Sequence, residues 1–161
     1  MKRMFVYILV FTCLLSLTAC AGKEEPVVFY YPNAEITYNT GTGVITPETR
    51  EALSRENSLS YLLSFYLEGP ISPNLRTPVP ENTQLLRIIS YDGGILLVMS
   101  REFAQLDGVD LTVACTCISR TCFDLTDFQE VTIASGNQKN VLRVINRDST
   151  DLTDFVIPTT E

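Results

Sequence analysis

Cys115, Cys117 and Cys122 are the residues whose type and spacing come nearest to chemistry. A thiolate is both a nucleophile and a metal ligand. Three thiolates fall one short of a closed Cys₄ zinc site, and the sequence contains no histidine to complete the set. The same absence removes Ser-His-Asp and Cys-His catalysis, since neither nucleophile would have an imidazole base. No phosphate-binding glycine loop, dinucleotide fingerprint or nucleophile elbow is present. Asp148, Asp151 and Asp154 recur at every third position. A calcium loop of the EF-hand type needs alternate acidic ligands, a central glycine and a closing glutamate, so a solvated polar turn is the better reading. Asp124 and Asp127 suit helix-end or turn positions. Tyr30, Tyr31, Tyr61, Phe65 and Tyr66 offer aromatic surface for a ligand, yet their strand and helix spacing places them in a core with phenol oxygens at its edge. The sequence assigns no catalytic residue, no metal and no cofactor.

The element that must carry the cysteines is a helix. Leu111, Ala114, Cys115, Ile118 and Cys122 follow helical spacing and share one face. Cys115 and Cys122 then stand two turns apart, roughly 10 Å along the axis, whereas a disulfide holds its Cα atoms within about 7 Å. Both are read as small buried hydrophobes. Cys117 falls on the outer face, where it is available to react or to pair between chains; a thiol enzyme using Cys117 is one functional reading, though no activating base is apparent.

The first residues carry a different chemistry. Met1-Lys2-Arg3 precedes an apolar run over residues 4–17 that ends in Leu17-Thr18-Ala19-Cys20. A basic start, a short apolar stretch and small residues at its end form an export signal rather than part of a fold. The run falls short of the roughly 20 residues that span a bilayer core. Its ending resembles the lipobox of bacterial lipoproteins, and the resemblance implies cleavage before Cys20 and a diacylglycerol thioether on its sulfur. Ala19-Cys20-Ala21 also fits an A-x-A site, which would release a soluble secreted protein; lipidation is the preferred reading.

The whole chain has 161 residues and a formal charge of −7. Lys2 and Arg3 leave with the signal, so the mature protein is more acidic still. Such a chain repels phosphate backbones and anionic headgroups. Nucleic acid is excluded as a partner, and attachment to a membrane falls to the lipid. Two acyl chains suffice for stable anchoring where one does not. The length suits one domain, with a core that needs no disulfide.

Residues 21–26 read as a polar tether and residues 27–31 as a buried strand stopped by Pro32-Asn33. Residues 35–38 and 44–45 flank Gly41-Thr42-Gly43 like a hairpin. Residues 48–55 fit helix or strand on local evidence, with Thr46 and Pro47 as a cap and first position in the helical case. Leu59, Leu62, Leu63 and Tyr66 predict an amphipathic helix over 58–68, capped by Ser58 or Asn57 and stopped by Gly69-Pro70. Strands at 85–91 and 94–100 surround an Asp92-Gly93 turn. A second helix starts within 107–110 and carries the cysteines, a strand follows at 128–134, and 141–145 with 155–157 form a terminal hairpin. The order is that of a small α+β two-layer sandwich with a β-α-β-β-α-β core, helices on one sheet face and an extra terminal hairpin.

A family resemblance covers Phe29 to Ser135. Tyr30-Tyr31-Pro32-Asn33, then Leu62-Leu63 before Gly69-Pro70, then Val79-Pro80-Glu81-Asn82-Thr83-Gln84-Leu85, and finally Asp92-Gly93 ahead of Val98-Met99-Ser100-Arg101-Glu102-Phe103 resemble a GerM-type (GerMN) sporulation and spore-germination domain. Ile45-Thr46-Pro47-Glu48-Thr49-Arg50 matches the extended segment before that family's first helix, which tips this stretch towards strand. The resemblance implies the ring-building fold of sporulation assembly proteins and a non-enzymatic role. Some members carry two copies of the domain; this sequence shows one, with a different C-terminal extension.

The expected organisation is a lipoprotein signal at 1–19, a lipidated tether at 20–26, a GerM-like domain at 27–135 and a hairpin extension at 136–161. The expected function is a membrane-anchored, non-catalytic interaction module on the extracytoplasmic face, in sporulation or germination. Its partners would be the membrane, through the lipid on Cys20, and an envelope or sporulation protein or another copy of itself. The alternative is a general envelope lipoprotein that binds a small ligand or peptidoglycan.

Overall fold

The computed structural model describes residues 25–35, 44–136 and 140–149. The export signal, Cys20, the hairpin turn at Gly41-Thr42-Gly43, Asp151, Asp154 and the second arm of the terminal hairpin at 155–157 lie outside the described residues.

Alternation builds the first strand. In β1 (Pro26–Pro32), Val27, Phe29 and Tyr31 are fully buried while Val28 and Tyr30 are half-buried. It pairs antiparallel with β2 (Ile45–Ser54), setting Phe29 opposite Glu48 and Tyr31 opposite Thr46. Residues 48–55, open between helix and strand on local evidence, continue as strand as far as Ser54. Helix α1 (Leu59–Glu68) starts where the Ser58 hydroxyl accepts the Tyr61 N–H, and it buries Leu62, Leu63 and Tyr66. It stops at Gly69, whose φ of 102° is open to glycine and strained for other residues. A Cβ there would also lie 2.5 Å from the Thr77 hydroxyl.

β3 (Leu85–Tyr91) and β4 (Gly94–Met99) form the expected hairpin around Asp92-Gly93. A short 3₁₀ turn at Arg101–Gln105 drops Phe103 into the core. Helix α2 (Gly108–Leu125) then crosses over so that β5 (Glu130–Ser135) lies parallel to β4. β6 (Val141–Asn146), the first arm of the expected terminal hairpin, pairs antiparallel with β5 as the fourth strand. The strand order is β3-β4-β5-β6, and β1-β2 form a separate two-stranded ribbon.

The α+β sandwich holds, with one layer that the order of elements did not reveal. Ile95, Leu97, Met99, Val131 and Ile133 on one sheet face share a single cluster with residues of both helices. On its other side α2 packs along β1, where the Tyr30 N–H bonds to the Thr121 hydroxyl. Ten residues of α2 between Val113 and Phe123 are buried. A helix covered on all sides belongs to an interior, and α2 is the middle of this molecule.

Candidate functional site

Burial decides the fate of the thiols. Cys115 and Cys122 are fully buried, as expected, and so is Cys117. The expected outer face for Cys117 is corrected: β1 packs along α2, and Cys117 is fully buried in the same core cluster as Tyr31 and Tyr66. Burial pushes the Cys115 and Cys122 thiols up to about 12 and raises Cys117 as well. A thiol held protonated and out of solvent is neither a nucleophile nor a metal ligand. Among the described residues no group of three or more His, Cys, Asp or Glu side chains is placed to hold a metal ion.

The aromatic residues divide between core and surface. Tyr31 and Tyr66 stack at 4.8 Å between centroids, and Phe29 meets both rings edge-on. Their hydroxyls are spent on the backbone, Tyr31 donating to the Tyr66 carbonyl at 2.9 Å and Tyr66 to the Tyr30 carbonyl at 3.1 Å. Phe65 is half-buried, whereas Tyr61 is exposed and packs on it at 4.9 Å. Among the described residues these rings form no aromatic ligand surface.

A polar cleft of about 730 Å³ opens where α2 ends. Its walls carry Tyr30 from β1, Arg55 from just beyond β2, Arg120 and Asp124 from α2, Asp127, and Arg147 from just after β6. The last turn of α2 has no basic residue of its own, so its free carbonyls and the negative end of its dipole are met from elsewhere. Arg147 supplies much of this. It donates to the carbonyls of Phe123, Thr126 and Phe128 at 2.7–3.0 Å, with its guanidinium 5.0 Å over the Phe123 ring. Arg55 bonds the Asp124 carbonyl and carboxylate, and the Pro26 carbonyl of β1, while the Thr126 hydroxyl donates to the Cys122 carbonyl. Desolvation and then the Asp124 charge raise the Tyr30 phenol above its ordinary value, so it is a neutral hydrogen-bonding group at physiological pH. The cleft holds three guanidiniums and two carboxylates, with Arg55 paired to Asp124 and Arg147 spent on backbone carbonyls.

The sequence marked Asp124 and Asp127 as helix-end residues and missed Arg55 and Arg147. A helix that ends at Thr126 without a C-terminal glycine or cation does signal outside help. Nothing local says which distant arginines provide it. Asp148, in the proposed polar turn, is exposed.

The second feature is the sheet face turned away from the helices. Strand register aligns Ile89, Leu96, Thr132 and Val144 in one row across all four strands, with Arg87, Val98, Ala134 and Val141 beside it. Val98 and Ala134 are buried yet stand apart from the main core cluster. Val141 and Val144 are about half exposed, at 48% and 52%. Towards the Gly94 end the face turns polar: the Tyr91 hydroxyl donates to Glu130 at 2.6 Å and lies 3.0 Å from the Thr132 hydroxyl, with its ring lying over Gly94.

These elements in this order match solved structures. The tandem GerMN domains of the sporulation protein GerM from Bacillus subtilis superpose with a TM-score of 0.56 at 16% identity, over 77% of this chain and 45% of that one. The fold is that of a GerMN domain. The first GerMN domain of the same protein superposes with a TM-score of 0.51 at 17% identity, over 70% of this chain and 84% of that domain. This chain thus spans less than half of the tandem structure and most of a single GerMN domain. No protein-family model matches the sequence, and no curated protein matches it. Among the described residues no helix is long and apolar enough to cross a membrane.

Proposed function

We propose that this GerMN-fold chain is a non-catalytic interaction module, held by a lipid on Cys20 at the extracytoplasmic face of the cell membrane, and that it works in sporulation or germination. The observation that carries this reading is the apolar row Ile89, Leu96, Thr132 and Val144 on the sheet face away from the helices, flanked by exposed Val141. β-branched and aliphatic side chains on a face that could be polar make a surface suited to docking. The sealed thiols, and a cleft whose Asp124 is tied up by Arg55, support the non-catalytic part. The leader ending Leu17-Thr18-Ala19-Cys20 supports the anchor, and likeness to the GerMN domains of a sporulation protein supports the setting.

The test is a photo-crosslinking residue at Val144 in cells followed through sporulation. A discrete adduct that forms in sporulating cells and is abolished by Leu96→Asp supports the module; no adduct at any stage, or one confined to vegetative growth, overturns it. The anchor is tested by fatty-acid labelling, which Cys20→Ser should abolish. The cleft at the end of α2 favours a second reading, a general envelope lipoprotein with a small polar ligand. Peptidoglycan fragments that raise the melting temperature in proportion to their concentration would favour it.

A further inference from the structure

The middle of the outer sheet face is more withdrawn from water than its own strands explain. Ala134 is fully buried and Val98 is 4% exposed, yet neither belongs to the cluster that the sheet shares with the helices. Strand neighbours shield a side chain from the flanks and leave it open from above. The helices α1 and α2 and the turn at Arg101–Gln105 pack on the sheet from its other face, with Leu63, Ile118 and Phe103 in the shared cluster. At the β6 margin of the outer face, Val141 and Val144 stay about half exposed. A cover lying over β4 and β5 and stopping short of that margin fits this gradient.

Composition and position single out one segment for it. Residues 20–24 lead into β1, and residues 36–43 close the ribbon where the Asn33 N–H bonds to the Val44 carbonyl, both on the far side of α2. Asn137, Gln138 and Lys139 carry no apolar side chain. Residues 150–161 hold Leu152, Phe155, Val156 and Ile157 with three acids and no base. They follow the turn Arg147–Ser149, which leaves β6 at the corner where Asn146 pairs with Glu130. Six steps from Ser149 to Phe155 span at most about 22 Å. The outermost of four strands stand about 14 Å apart, so Phe155 reaches any part of the row Ile89, Leu96, Thr132 and Val144. Arg87, exposed at the diagonally opposite corner of this face, is within reach of Glu161. The same run set beside β6 as the second arm of a hairpin would leave Val98 bare, because β5 and β6 would stand between them.

We propose that the run Phe155-Val156-Ile157 lies across β4 and β5 on the outer sheet face as an intramolecular cover, which a docking partner must displace. The displacement rests on the docking role proposed above; the cover itself does not. Apolar side chains on both surfaces leave water together, and the chain connection makes the encounter intramolecular, so a modest contact suffices to hold it. A partner that competes for this face gains access to Leu96 and Val98 only as the run leaves, while Val144 at the margin stays within its reach.

The experiment uses the full mature chain, purified as the cell makes it and held dilute with phosphatidylcholine vesicles. Phe155→p-benzoylphenylalanine places a photo-crosslinker of similar shape in the run. After irradiation, mass mapping should find the adduct within the same chain, on Leu96, Val98 or Thr132 of the outer face. Adducts confined to Val141–Asn146, which would mean a fifth strand, adducts to lipid or to a second copy, or no adduct overturn the cover. Displacement is read in sporulating cells with the crosslinker at Val144 instead. There Phe155→Asp with Ile157→Asp should raise the partner adduct severalfold, and an unchanged or smaller yield overturns displacement. The two readings fail separately: an adduct within the chain without any partner adduct at Val144 sinks the docking role and keeps the cover, whereas a partner adduct without one inside the chain sinks only the cover.

Discussion

The four-stranded sheet and the β1-β2 ribbon lie on opposite sides of α2 and hold it by different means. The sheet contributes Ile95, Leu97, Met99, Val131 and Ile133, side chains without a polar atom to place. The ribbon contributes Phe29 and Tyr31 together with a set of directed bonds. Tyr31 and Tyr66 donate to backbone carbonyls, Thr121 accepts from β1, and Arg55 ties the end of β2 to Asp124. Arg50 is mostly buried beside Glu48 at 2.8 Å, lies over the Phe29 ring, and donates to the Gly69 carbonyl that ends α1. Glu48 accepts the N–H groups of Ile71 and Ser72 in the next loop. A four-stranded sheet buries enough apolar surface to find its place by area alone, while two strands are marginal by themselves. The ribbon is positioned by geometry where the sheet is positioned by burial.

The comparison breaks most visibly at Tyr66. Tyr66→Ala removes a ring in contact with both ribbon aromatics and leaves the Tyr30 carbonyl unbonded, so a loss of about 3–5 kcal/mol is expected in denaturant unfolding. Tyr66→Phe isolates the directed bond and should cost about 1 kcal/mol. Leu97→Ala in the sheet should cost about 2–5 kcal/mol, with no polar counterpart to separate. A Tyr66→Phe variant as damaging as Tyr66→Ala would mean that the bond, not the ring, holds the ribbon.

Arg50→Ala comes next. It strands Glu48 against backbone N–H groups with its cation gone, and losing one partner of a buried pair costs about 3 kcal/mol. The double variant Arg50→Met with Glu48→Gln should recover part of that loss. No recovery would show that the cation acts through the Phe29 ring and Gly69 rather than through the pair.

Alkaline pH tests both sides of α2 together. The buried thiols stay protonated in the fold, while in the unfolded chain they release protons above about pH 8.5. The folded state therefore binds more protons, and stability, complete below that pH, falls as pH rises towards 12. The slope is about 1.4 kcal/mol per pH unit for each thiol, read from melting temperatures between pH 8 and 10.5. Cys117→Ala on the ribbon side and Cys115→Ala on the sheet side should each remove one share. Unequal shares would show that one layer opens before the other.

The smallest effect belongs to the outer sheet face. Val144→Thr should change stability by less than about 0.5 kcal/mol while weakening the crosslink at that face. A large stability loss would mean that Val144 serves the fold rather than a partner.

Much of the sheet and of α1 was legible in the sequence because their signals are local. Ser58, the spacing of Leu59, Leu62, Leu63 and Tyr66, and Gly69 lie within one stretch of chain, as do the two strands around Asp92-Gly93. The ribbon was not legible in this way, because Glu48, Arg50 and Arg55 find partners far away in sequence. The misplacement of Cys117 has the same origin. Helical spacing marks one apolar face and leaves the other to solvent, and nothing in β1 announces that it will cover that second face. One signal was present: residues 111–119 carry no charge, and the polar members of that run, Thr112, Thr116 and Ser119, are small. A solvent-facing stripe would ordinarily hold Lys or Glu. The cleft was half legible, through Asp124 and Asp127, and its arginines came from two other elements.

Enclosing three thiols between two layers also sets a race in time. On the proposed route out of the cytoplasm, the chain would meet oxidants before it is folded, with Cys115, Cys117 and Cys122 within reach of one another. Mixed α/β domains fold in milliseconds to seconds, whereas disulfides form over seconds to hours. The order of those two clocks favours closure of the core first. Once closed, the interior acts as a redox shelter, so slow or interrupted folding, rather than a change in the finished protein, is the point at which oxidation can trap this chain.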